Sequence, residues 1–143
     1  MFHQLYSLYG ILICFLKKIN ASLPSSSSSP SQSPILVDVR EPAELVSTGI
    51  IPGAVAIPLV SQPDALSLPP DEFEERLGFP KPGFEEGASP TQPLVFYCKA
   101  GIRAKAAAQL AEEAGYDPSR IGVYTGSWLD WEKNGGKSER WEE

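Results

Sequence analysis

Leu94-Val95-Phe96-Tyr97-Cys98-Lys99-Ala100-Gly101-Ile102-Arg103 opens the stretch LVFYCKAGIRAKAAAQLAEEAGY (residues 94–116), whose reading decides the fold. Residues 94–97 are apolar throughout, as in a strand covered on both faces. Cys98 to Gly101 form a tight turn. Residues 103–114 then carry Ala104, Ala107, Ala108, Ala111 and Ala114 at helical spacing. Small side chains on that face let the helix sit close to a sheet. Gly115 follows the helix as its C′ residue.

The same alternation extends outward. Upstream, Ile35-Leu36-Val37-Asp38-Val39 reads as a buried strand, and Glu41-Pro42-Ala43-Glu44-Leu45 starts a short helix closed by Gly49. Pro52-Gly53 is a turn, and Ala54 to Ile57 a second short strand. Residues 61–70 read as loop. Asp71 is expected to cap a helix through Leu77 that Gly78 stops, and residues 80–93 are again loop. Downstream, Ile121 to Tyr124 form a strand and residues 127–134 a last helix, closed by Gly135-Gly136. Strands alternating with helices predict an α/β domain with a mostly parallel sheet.

The first 34 residues differ. LYSLYGILICFL (residues 5–16) is an apolar run shorter than the roughly 20 residues that span a bilayer. It lacks the basic lead of a secretory signal and the arginines of a transit peptide. Three readings are open: membrane association through residues 5–16, a helix packed on the domain, or a misassigned start. Residues 21–34 hold 8 Ser and 3 Pro and read as a flexible linker. The division expected is therefore an atypical segment over 1–34 and a folded domain over 35–143.

Composition narrows the function. The chain has 143 residues, 42% of them hydrophobic, and a formal net charge of −6. From residue 35 onward, 10 basic residues face 18 acidic ones. That balance disfavours binding to nucleic acid, which needs clustered Lys and Arg. Two cysteines, Cys14 and Cys98, with one histidine, His3, give neither a disulfide scaffold nor a zinc site. No metal and no organic cofactor is implied.

In parallel sheets, function collects at the carboxyl ends of strands. Cys98 stands there, ahead of a helix. The amides of residues 99–103 are expected to turn inward as a nest for an anion. The helix N-terminus adds partial positive charge, and Lys99 and Arg103 add full charges. All three favour a thiolate. Cys98 is thus a candidate nucleophile that needs no histidine. Cys14, inside the apolar run, is expected to be inert.

Residues 35–136 resemble the single-domain rhodanese (thiosulfate sulfurtransferase) family. The motifs ILVDVREPAEL, TGIIPGAVAIP, LVFYCKAGIRAKAAAQLAEEAGY and GSWLDWEKNGG occur in that family's order, and residues 61–82 look like those of its fungal members, often mitochondrial. The resemblance implies a rhodanese-like sheet with helices on both faces. It implies a sulfane sulfur passing from thiosulfate, or another persulfide donor, through a Cys98 persulfide to a thiol or cyanide. Lys99, Ala100, Gly101, Ile102 and Arg103 would form the cradle, with Arg103 helping to hold the anionic donor. Asp38 and Arg40 match the family's Asp-x-Arg as supporting residues, Asp38 orienting the loop or a basic side chain or forming a structural pair. Trp128 and Trp131 match its aromatic segment, as site wall or as core. The partners implied are a small-molecule donor and a thiol acceptor, in mitochondria or otherwise in the cytoplasm.

Two departures stand out. Ile50 occupies the position where the family usually has histidine, and MFHQLYSLYGILICFLKKIN does not match the family's first strand and helix. Two rival functions are weighed beside the first. One is a phosphatase or arsenate reductase on the same fold; those use Cys-x5-Arg, whereas Cys98 to Arg103 is the shorter Cys-x4-Arg. The other is a non-catalytic rhodanese-like binding module.

Overall fold

The computed structural model describes residues 34–84 and 92–143. The apolar run at 5–16, and with it the membrane reading, lies outside them. Four parallel strands form one sheet in the order β2-β1-β3-β4: β1 Ile35–Asp38, β2 Val55–Ala56, β3 Leu94–Tyr97 and β4 Ile121–Val123. The helices are α1 Pro42–Thr48, α2 Pro70–Leu77, α3 Ile102–Glu113 and α4 Ser127–Lys133. None of the described helices is long and apolar enough to cross a membrane.

Side-chain alternation along the strands assigns the two faces. On one, Val37, Phe96, Cys98 and Val123 pack with Phe73 of α2 and with Ala104, Ala107, Ala108 and Ala111 of α3. On the other, Leu36, Val95, Tyr97 and Tyr124 pack with Trp128 and Trp131 of α4. The sheet therefore carries helices on both faces, and the alanine stripe of α3 is its contact surface.

Two expectations are corrected. Asp71 does not cap α2. The helix starts one residue earlier, at Pro70, with Pro69 in the cap position. A proline at the first helical position loses no hydrogen bond, because its amide would be unpaired there anyway. Asp71 instead sits in the first turn, where its charge complements the helix dipole. The 61–70 loop also contains a turn of 3-10 helix, Ala65–Ser67, with Ala65 and Leu66 buried.

The strand order has a consequence for function. The chain leaves β1 toward β2 and leaves β3 toward β4, in opposite directions. A crevice opens between two such adjacent carboxyl ends. Its floor is a buried ion pair. Arg40 and Asp38 are 1% and 0% exposed. Arg40 Nε donates to Asp38 Oδ1 and Oδ2 at 3.0 and 3.1 Å, and Nη2 to Oδ2 at 2.7 Å. The remaining donors reach Thr48 Oγ1 at 3.0 Å and the Gly49 carbonyl at 3.1 Å. The guanidinium lies 4.6 Å from the centroid of the Trp128 ring. Each nitrogen of the cation thus has a partner, which is the condition for burying it. Asp38 and Arg40 thus form one buried pair at the end of β1.

Ile50 is also structural. Its amide and carbonyl pair with those of Glu139 at 2.9 and 2.8 Å. Removing one partner of a buried pair costs about 3–5 kcal/mol, because the other charge stays buried. Asp38→Ala is expected to lose that much in chemical denaturation. A loss under about 1 kcal/mol would show that Arg40 finds another counter-charge.

Candidate active site

Cys98 is the first residue after β3 and is 1% exposed. Its Sγ accepts from the Gly101 amide at 3.0 Å and from the Ala104 amide at 3.4 Å. Both donors belong to the start of α3, where the first amides have no acceptor within the helix. The sulfur therefore sits at the positive end of the helix dipole. The amides of Lys99, Ala100, Ile102 and Arg103 have no acceptor among the described residues.

Of residues 99–103, only Gly101 donates to the sulfur. The second donor, Ala104, lies one residue beyond the expected stretch. Its signal was in the sequence, since the second and third amides of any helix start are unpaired. Gly101 is required on two counts. Its φ is +104°, and a Cβ there would lie 2.6 Å from the Thr125 carbonyl oxygen. Lys99 and Ala100 are exposed, and Ile102 is 81% exposed at the rim.

Arg103, expected to help hold the donor, is paired within the protein. Its Nη1 and Nη2 grip Glu44 Oε2 and Oε1 at 2.7 and 3.0 Å. Glu44 also accepts from the Glu41 amide at 2.9 Å, closing the N-terminus of α1. The Arg103 hydrogen bonds hold the Glu44 carboxyl down at about 2. The pair bridges the two sides of the crevice, α1 after β1 and α3 after β3. Glu44 is a site residue that sequence reasoning missed, having read it only as part of a helix.

Ser127 was missed too. Its Oγ accepts the Cys98 amide at 3.1 Å and donates to the Tyr124 carbonyl at 2.8 Å. The next amide, Trp128, donates to the Cys98 carbonyl at 2.9 Å, and Leu129 to the Lys99 carbonyl at 3.2 Å. The first turn of α4 thus holds the Cys98 backbone from both ends. Tyr97, one residue before Cys98, accepts from the Ile51 amide at 3.1 Å. Burial, then the charge of Asp38, pushes its phenol far above the ordinary range, so it stays protonated. Trp128 and Trp131 are core: both are buried, and Trp131 Nε1 donates to the Lys137 carbonyl at 2.7 Å. Among the described residues, no group of three or more His, Cys, Asp or Glu could hold a metal.

Comparison with known proteins agrees with this geometry. The family described as "Rhodanese-like domain" matches residues 25–134. A thiosulfate:glutathione sulfurtransferase of Saccharomyces cerevisiae is 42% identical over 102 residues, covering 71% of this chain and 67% of that one. A second yeast protein, a thiosulfate sulfurtransferase named as mitochondrial, is 40% identical over 107 residues, covering 75% and 66%. The chain thus spans about two thirds of the length of these curated relatives. The crystal structure of a yeast single-domain sulfurtransferase superposes with a TM-score of 0.66 at 34% identity, covering 85% of this chain and 88% of that one. The chain belongs to the rhodanese-like domain family.

Proposed function

We propose that this chain is a sulfurtransferase that carries sulfur on Cys98. The observation that supports the reading is the sulfur itself, held by the Gly101 and Ala104 amides at the start of α3. The names of the yeast relatives support the substrates, thiosulfate as donor and a thiol such as glutathione as acceptor.

In the donor step, the Cys98 thiolate attacks the outer sulfur of thiosulfate. A sulfur–sulfur bond forms to Cys98 and the one within thiosulfate breaks, so sulfite leaves with the bonding pair. The persulfide's terminal sulfur carries the negative charge, and the amides of Lys99, Ala100, Ile102 and Arg103 are the loop donors left to serve it. In the acceptor step, a thiolate, or cyanide in the test tube, takes that sulfur and Cys98 leaves as thiolate. No step transfers a proton, and both place an anion in the loop. Fixed amide dipoles stabilise such charge without reorganising. Arg103, already paired with Glu44, adds its field at the rim and keeps the loop in place. The relative named as mitochondrial supports that compartment for this chain.

Intact-mass analysis after thiosulfate treatment tests the reading. Wild type is expected to gain one sulfur atom, lost again to glutathione or cyanide, and Cys98→Ser to gain none. If instead the folded wild type gains nothing and hydrolyses p-nitrophenyl phosphate in a Cys98-dependent way, the phosphatase rival is right. Gly101→Ala must displace the loop from Thr125. Its turnover is expected to fall about a hundredfold, the usual cost of one lost donor to a developing anion.

The Glu44–Arg103 pair sets a pH window. The folded Glu44 carboxyl ionises at about 2, below its ordinary 4.5. A lowered carboxyl contributes stability that is full above 4.5 and lost as pH falls through about 2. The difference in melting temperature between wild type and Glu44→Gln should therefore be flat from about pH 6 to 8 and shrink only in acid. A difference that already declines near pH 6 would mean that the pair is not what Glu44 contributes.

A further inference from the structure

Ser127 is the one non-glycine among the described residues with positive φ, at +54°, and it is fully buried. An L side chain there is disfavoured on steric grounds, and glycine would sit there freely. Strain of this kind persists where the side chain does something that the surroundings need. Its hydroxyl touches Cys98 in two ways. It accepts the Cys98 amide at 3.1 Å, and its oxygen lies 4.0 Å from Sγ.

The hydroxyl proton has a choice. It is directed at the Tyr124 carbonyl, 2.8 Å away. That carbonyl also receives the Ser127 amide at 3.0 Å. It therefore keeps a partner when the hydroxyl turns away, and the oxygen's lone pairs stay with the Cys98 amide. Rotation toward Sγ leaves no buried polar group unpaired, so it avoids the penalty that usually blocks such a move.

We propose that Ser127 is a positioning residue for Cys98 and a switchable third donor to its sulfur. With Sγ uncharged, the hydroxyl serves Tyr124. When charge gathers on Sγ, at thiolate formation and again as Cys98 leaves the persulfide, the hydroxyl turns to it and joins Gly101 and Ala104. The inference deepens the sulfurtransferase reading and rests on it for the second of these moments. The first is independent of any sulfur donor.

Ser127→Gly and Ser127→Ala test it together. Glycine removes the hydroxyl and relaxes the backbone; alanine removes the hydroxyl and keeps the Cβ. Melting followed by circular dichroism reports the fold. Alkylation of Cys98 by iodoacetamide reports the thiolate without any donor present. At pH 7 both variants are expected to react about tenfold more slowly than wild type, the scale of one hydrogen bond to a charged group. Near pH 9.5, above the ordinary cysteine range, their rates should converge on wild type. In the thiosulfate assay kcat should fall about tenfold with KM little changed.

The inference is overturned if either variant is folded and alkylates at the wild-type rate at pH 7. It is also overturned if the slower rate persists unchanged at pH 9.5, because that marks altered access rather than lost charge stabilisation. Failure of wild type to take sulfur from thiosulfate would sink the sulfurtransferase reading while leaving the alkylation comparison in force.

Discussion

The mouth of the sheet is organised by the Asp38–Arg40 pair. The order β2-β1-β3-β4 puts the carboxyl ends of β1 and β3 side by side, with their chains leaving in opposite directions. Such a crevice would flood or collapse without a filler. Arg40 fills it, gripping Asp38 below and the Thr48–Gly49 end of α1 beside it, with Trp128 of α4 against its face. With α1 fixed, Glu44 is held where it meets Arg103 at the start of α3. The buried cation thus touches α1 and α4 directly, and α1 carries the link on to α3 through Glu44 and Arg103.

Local pattern carried most of the fold. Four apolar strands, an alanine face and glycines after helices each act within a few residues, so they are legible without tertiary context. Gly78 and Gly115 both have positive φ where a helix was expected to end. The errors have local causes as well. Asp71 resembled a cap, but the two prolines before it suit the helix start better. The prolines of residues 61–70 hid a 3-10 turn whose Ala65 and Leu66 belong to the core.

The site was legible in part, for the same reason. Cys98, its turn and the helix after it are contiguous, and a strand–cysteine–turn–helix unit has a physical meaning on its own. Glu44 and Ser127 are not contiguous with it. Glu44 meets Arg103 across 59 positions of chain, and Ser127 meets Cys98 across 29. No spacing rule connects residues through a sheet register, so each read as an ordinary member of a helix. The partner of Arg103 was illegible for the same reason: it comes from a distant element. Cys98 was read from what surrounds it in sequence, and the structure adds what surrounds it in space.

Among the described residues no histidine stands near Cys98, and the proposed sulfur transfer calls for none. The chain's single histidine, His3, lies outside the described residues. Ester hydrolysis must put a proton on a leaving alkoxide, so a general acid contributes there. Sulfur transfer between anions has no such demand. Thiolate, sulfite and persulfide each leave or attack as ions, and the reaction only shifts negative charge by one sulfur along a line. What the protein must supply is a row of donors that is already oriented, because reorientation at each shift would cost what water costs. Backbone amides on a glycine-dependent turn meet that need, being fixed by the fold. The Ser127 hydroxyl adds the one donor that moves, and its turn stays cheap because the Tyr124 carbonyl keeps the Ser127 amide as a partner.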